Sequence, residues 1–163
     1  MSQHSEKPFR IIIGPGDGIG PEITAQAEKL LPVIKKAGRN IEWEEILIGA
    51  AGIRAMGSNL PPSSWETAKA GDALLTSCVG DAEFDHLETI ETPSAAMLKL
   101  RKRLDLYANI RPVKSYPQLY NSAPIKDSIL NKGVDIVIVR ELVGGLYFGP
   151  KDRETLPDGN EKA

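Results

Sequence analysis

"FRIIIGPGDGIGPE", Phe9 to Glu22, runs three isoleucines into four glycines at alternate positions, then a proline and a glutamate. A β-branched run that ends in glycines reads as a short buried strand. Pro21 suits the first helical position, where a missing N–H costs nothing, and Glu22 complements the helix's positive end. The stretch therefore reads as strand, turn, helix. The helix is expected from Pro21 toward Lys36, with Ile23, Ala27, Leu30, Leu31 and Ile34 on one side. Pro32 should kink it or stop it early, and Gly38 is a plausible C-terminal stop.

The following segments repeat that alternation. A second strand is expected over Ile41 to Leu47, then a short helix in "IGAAGIRAMG". A further helix in "LPPSSWETAKAG" would be capped by Ser63 or Ser64, and "DALLTSCVG" reads as a third buried strand. This order argues for an α/β fold with a largely parallel sheet flanked by helices.

The glycine-rich turn does not follow the nucleotide-binding patterns. The dinucleotide fingerprint needs glycines at relative positions 1, 3 and 6. Counted from Gly14 the last of these is Ile19, and from Gly16 it is Pro21. No Gly-Lys-Ser/Thr follows, so it is not a Walker loop either.

Bulk properties narrow the class. The 163 residues suffice for one ordinary domain with a real core. Apolar residues make up 41% and charged residues 26%, a globular composition. A net charge of −2 offers no electrostatic case for nucleic acid or an anionic membrane. The basic cluster Lys99, Arg101, Lys102 and Arg103 reads as a solvated helix face. The single cysteine, Cys78, precludes an internal disulfide, fits a reducing compartment and, inside "ALLTSCV", reads as a buried thiol. With a polar start and no long apolar segment, the reading is a cytoplasmic protein. The two histidines, His4 and His86, are too isolated for a histidine metal site.

Further along, Asp81 to Glu91 is loop-like. Thr92-Pro93 should open a helix that carries Met97, Leu98, Leu100, Arg101 and Arg103 and ends near Asp105. "LYANIRPV" reads as a strand that stops at Pro112, and a short helix is expected near Ile125 to Leu130. "VDIVIVREL" reads as a buried strand, "GGLYFG" as a tight turn with a short strand, and "PKDRETLPDGNEKA" as polar and turn-rich.

Three arginines fall at ends or edges of these elements: Arg101, Arg111 and Arg140. Guanidinium matches carboxylate bidentately, so three that converge would hold a dicarboxylic acid. On residues alone, salt bridges to local acids such as Glu141 and Asp135 are the favoured account of them. Tyr147 lies seven residues after Arg140; near cationic groups its pKa falls from about 10 and it can act as a general acid. It can also simply pack with Phe148.

"GPGDGIGPE", "LRKRLDLYANIRPVKSYP" and "VDIVIVRELVGGLYFG", in this order, resemble the 3-isopropylmalate dehydrogenase family, from about Phe9 to the last residue. The resemblance implies NAD-linked oxidation of a 2-hydroxy dicarboxylic acid, loss of the 3-carboxylate, and assistance from Mg2+ or Mn2+. By position in the matching motifs, Arg101, Arg111 and Arg140 would bind substrate carboxylates and Tyr147 would protonate the enol carbon. Ile23, Met97 and Leu98 would lie near the 3-substituent, with Ile19 and Ser94 near the nicotinamide. The opening turn would thus line the cofactor cleft.

The chain is far shorter than family members. The resemblance places the metal ligands, the catalytic lysine and the adenosine-binding loop outside it, so the 163 residues alone are expected to be inactive. Residues 1–106 would be the N-terminal portion of the first, cofactor-side domain. Residues 107–163 would begin the second, substrate and dimerisation domain, of an enzyme that is a homodimer when complete. "VGDAEFDHL" departs from the usual "VGGPKWDNL" type, and Ser94 stands where isopropylmalate enzymes usually carry an acid and isocitrate enzymes a serine. Met97 and Leu98 would form an apolar wall, which favours an alkyl 3-substituent and hence 3-isopropylmalate of leucine biosynthesis. The alternatives are a sister enzyme acting on tartrate, homoisocitrate or isocitrate, and a non-catalytic dicarboxylate-binding or regulatory subunit.

Overall fold

The computed structural model describes residues 7–130, 132–142, 144, 154–155 and 161–162. The chain divides into two compact units, Met1–Leu100 and Arg101–Ala163.

The first unit is built on a parallel sheet. Strands β1 (Phe9–Gly14), β2 (Ile41–Glu45) and β3 (Ala73–Thr76) pair in the order β2-β1-β3. Ile11 stands opposite Trp43 on one side and Ala73 on the other. The isoleucine run divides by the period of two of a strand. Ile13 packs with Leu31 and Ile41, with Ile11 beside them, while Ile12 is buried on the opposite face. Helices α1 (Gly20–Glu28), α2 (Leu30–Lys36), α3 (Ala50–Met56) and α4 (Pro62–Ala70) complete the α/β arrangement expected from sequence, and the boundary at Leu100 falls within α5 (Ala95–Arg103).

Several local expectations are corrected. The Pro21–Lys36 helix is two helices with the break at Lys29, three residues before Pro32. A proline removes the N–H that would reach the carbonyl four residues back and its ring crowds that carbonyl, here Glu28, where α1 ends. The buried side also differs from the expected one: Thr24 and Leu31 are buried, while Ile23, Leu30 and Ile34 are exposed. In α4 the N-cap is Pro61, and Ser63 and Ser64 lie inside the first turn. β3 is half exposed because it is the outer strand of the described sheet. Cys78, beyond the end of β3, is exposed rather than buried. Thr92 does not cap a helix. Its hydroxyl donates to the Thr89 carbonyl, and α5 begins at Ala95.

The second unit holds an antiparallel pair, β4 (Ala108–Lys114) with β5 (Asp135–Glu141). Between them lie a 3₁₀ segment, Pro117–Ser122, and a one-turn helix α6 (Asp127–Leu130). Ser115 closes the pair, its N–H donating to the Val134 carbonyl and its Oγ accepting from the Val134 N–H, each at 2.8 Å. β4 runs through Pro112, opposite Val137, instead of stopping there; proline is compatible with a strand that has one edge outside the ladder. β5 is a strand but not a buried one, since every residue in it is exposed. Short strands β6 (Glu154–Thr155) and β7 (Glu161–Lys162) pair antiparallel in the polar tail. "GGLYFG" lies, apart from Gly144, outside the described residues, and Tyr147 with it.

Candidate active site

The glycine turn is organised by a residue that the sequence patterns pass over. Asp17, only 5% exposed, aims its carboxylate at three backbone N–H groups. Oδ2 accepts from Ala50 at 2.9 Å and Gly80 at 2.9 Å, and Oδ1 accepts from Ala51 at 3.0 Å. Its own N–H donates to the Cys78 carbonyl at 2.7 Å. One side chain thus joins the β1–α1 turn, the start of α3 and the segment after β3. Burial of a carboxylate is tolerated because charge-assisted bonds replace its water. Two glycines are required here: Gly16 (φ 72°) and Gly49 (φ 69°) take left-handed backbone. A Cβ on Gly16 would strike the Cys78 carbonyl, and one on Gly49 would strike the Asp17 carboxylate. Within the turn itself, the Asp17 N–H goes to the Cys78 carbonyl and the Gly20 N–H to the Asp17 carbonyl.

Beyond this pin, Ile19 and Ile23 stand one helical turn apart at the head of α1, both exposed. The segment after Gly80 is held by Arg54 at the end of α3. Its guanidinium bonds Asp81 and Glu83 and lies 5.2 Å from the Phe84 ring centre. The hydrogen bond from Arg54, then the Glu83 N–H, pulls the Asp81 carboxyl below its ordinary range. The same bonds, to Asp81 first and Glu83 second, raise Arg54. The departure "VGDAEFDHL" therefore forms a surface clamp, in which Asp81, Glu83 and Phe84 all take part.

On α5, successive residues turn by about 100°. Ala95, Ala96 and Leu100 are buried. Ser94, Met97, Leu98 and Arg101 fall on a stripe opposite them, with Ser94 exposed and the other three half-buried. A guanidinium thus shares a helix face with two apolar side chains and a hydroxyl. Lys99 does not belong to a solvated face as expected. Its ammonium, on a side chain 23% exposed, donates to Asn59 Oδ1 at 2.8 Å and pairs with Glu91 at 3.5 Å.

In the second unit the register pairs Asn109 with Arg140 and Arg111 with Ile138. Directly opposed residues share a face, and Asn109 and Arg111 are two apart on one strand. Arg111 and Arg140 therefore stand diagonally on one face of the pair, roughly 7–8 Å apart by ordinary strand geometry. Arg111 Nε donates to Asn109 Oδ1 at 3.1 Å, which braces it along the strand. Asp135, one of the acids considered as an arginine partner, is at the far end of β5, five residues or about 17 Å of extended chain from Arg140. There it lies 3.6 Å from Lys114. The structure thus brings together Arg111 with Arg140, the α5 stripe, and Ile19 with Ile23, as three separate groupings.

Among the described residues no cluster of three His, Cys, Asp or Glu could hold a metal ion, and no helix is long and apolar enough to cross a membrane.

These groupings lie on a chain whose relatives can be named. The family model for isocitrate/isopropylmalate dehydrogenase matches residues 10–163. The chain belongs to this family. It is 46% identical to the 3-isopropylmalate dehydrogenase of Zymomonas mobilis, over 94% of this chain and 43% of the relative. It is also 46% identical to that of Carboxydothermus hydrogenoformans, over 99% and 44% respectively. Among solved structures it is similar to isocitrate dehydrogenase from Methylococcus capsulatus (28% identity, TM-score 0.60, 94% of this chain and 41% of that one). It is likewise similar to the beta-decarboxylating dehydrogenase of Thermococcus kodakarensis (31%, TM-score 0.62, 94% and 39%). The chain spans less than half the length of these relatives.

Proposed function

We propose that this chain is the N-terminal part of an NAD- and divalent-metal-dependent 3-isopropylmalate dehydrogenase. The observation that carries the reading is the α5 stripe, where Arg101 stands beside Met97 and Leu98 on the face opposite the buried side chains. Such a face suits a substrate with a carboxylate next to an alkyl group.

In this reading Arg101, Arg111 and Arg140 bind the two carboxylates of the malate core by charge-assisted hydrogen bonds. Met97, Leu98 and Ile23 exclude water around the 3-substituent. Ile19 offers an apolar surface and Ser94 a hydroxyl, a pair of contacts that fits a nicotinamide ring and its carboxamide. When bound, NAD would supply the hydride acceptor for oxidation at C2, and Mg2+ or Mn2+ the charge stabilisation needed as the 3-carboxylate is lost as CO2. The family resemblance places the ligands of that ion beyond this chain. Tyr147 would deliver a proton to the enol carbon. The exposed apolar residues of β4 and β5 suit a surface covered in a complete homodimer.

Ser94, exposed at the head of the stripe, favours isocitrate as the second reading. The test is NADH and CO2 formation by the intact gene product, its mass first determined in cell extract, with 3-isopropylmalate, NAD and Mg2+. Metal-dependent, equimolar NADH and CO2 are expected. A product of 17.7 kDa that co-purifies with a longer homologue and yields neither would replace the reading with a non-catalytic subunit.

A further inference from the structure

Asn59, in "GSNLPP", is fully buried, at 0% exposed. Its Nδ2 donates to the carbonyls of Ile90 at 3.1 Å and Thr92 at 2.7 Å, and its Oδ1 accepts from Lys99 Nζ at 2.8 Å. Two carbonyls require the NH2 and an ammonium requires the oxygen, so a single orientation of the amide satisfies all three partners. The two carbonyls belong to the turn just before α5, and Lys99 lies one turn inside it. A single buried side chain thus grips the helix ahead of its start and again within it. Those two grips restrain both its position along the axis and its rotation. Rotation by one residue, about 100°, would move Met97, Leu98 and Arg101 off their common outward face.

We propose that Asn59, acting through Lys99 and the 90–92 turn, is a positioning residue that orients the substrate-facing stripe of α5. Its kinetic readout rests on the dehydrogenase reading above. Asn59→Asp removes both N–H donors and sets a carboxylate against two carbonyls while keeping the Lys99 partner. Lys99→Met removes the grip on the helix, and the Lys99–Glu91 pair with it, while both bonds from Asn59 Nδ2 to the turn are kept. Leu31→Ala, in the cluster with Ile13 and Ile41, is the control for loss of stability at a distance.

The test is made on the intact gene product, comparing kcat/KM for 3-isopropylmalate with kcat/KM for malate, which lacks the isopropyl group. Asn59→Asp is expected to lower that ratio about tenfold, the scale of a misfitted apolar substituent. Leu31→Ala, compared at equal distance below its own Tm, should leave it unchanged. Amide exchange should quicken across residues 90–96 in Asn59→Asp and not in Leu31→Ala. An unchanged ratio together with uniform exchange overturns the proposal. If the wild type oxidises no 3-substituted malate, the dehydrogenase reading fails, and the exchange pattern alone decides the positioning. Should Asn59→Asp fail to fold, Lys99→Met is expected to lower the ratio about threefold, and no change in its ratio or exchange overturns the proposal.

Discussion

β1 and β5 look alike in sequence and differ in the structure. "FRIII" and "DIVIVRE" are both β-branched runs and both form strands, but Ile12 and Ile13 are fully buried whereas Val139 is 65% exposed. β1 is flanked by strands on both edges, with Leu31 of α2 packed beside Ile13. β5 pairs only with β4 among the described residues. A β-branched run therefore specifies extended backbone, while burial depends on a second layer that the run itself does not encode. In the first unit, buried polar groups such as Asp17 and Asn59 hold loops together. In the second, the polar groups of interest stand on an exposed face.

The comparison predicts that substitutions in the two units fail differently. The largest effect is expected for Arg111→Met and Arg140→Met in the intact gene product. In the proposed reading each removes a charge-assisted contact to substrate and should lower kcat/KM about 100-fold or more. Urea midpoints should be nearly unchanged, since exposed side chains contribute within about 0.5 kcal/mol. A large stability loss with normal kinetics would reverse the assignment of the hairpin face.

Asp17→Ala should behave in the opposite way. Three buried N–H groups lose a charged acceptor, and about 3–5 kcal/mol of unfolding free energy should disappear. Asp17→Asn keeps one acceptor oxygen and should lose less. A denaturant curve for Asp17→Ala indistinguishable from wild type would remove the pin from the account. The core comparison is milder. Leu31→Ala should cost about 2–4 kcal/mol and Val139→Ala under about 1 kcal/mol. Equal costs would mean that β5 is covered after all.

The smallest effect concerns the Arg54 clamp. Asp81 is lowered in the folded protein relative to 3.8, so folding favours its charged form. Its contribution is complete above pH 3.8 and is lost as pH falls through the lower folded value. In an NMR titration the Asp81 carboxyl should move below that value in wild type and return toward it in Arg54→Met. Identical curves would show that Arg54 does not hold it.

The elements of the first unit were legible because β-branched runs, glycines and prolines act locally. The break at Lys29 was less so: Pro32 announced a disruption, but its ring acts on Glu28, a turn earlier. Asp17 carried a faint signal, an Asx residue among glycines, which commonly bonds nearby backbone; its partners Ala50 and Gly80 are far along the chain. Asn59 carried none, because Ile90, Thr92 and Lys99 are known only once α5 is in place. The arginines were legible as residues, and the pairing of Arg111 with Arg140 on one face needed the register of β4 and β5.

The most direct measurement is the ratio of kcat/KM for 3-isopropylmalate to that for isocitrate, with NAD and Mg2+, on the intact gene product. An apolar wall of Met97 and Leu98 beside Arg101 predicts a preference for 3-isopropylmalate of about tenfold or more. Equal or greater efficiency with isocitrate would contradict it and shift the specificity to Ser94.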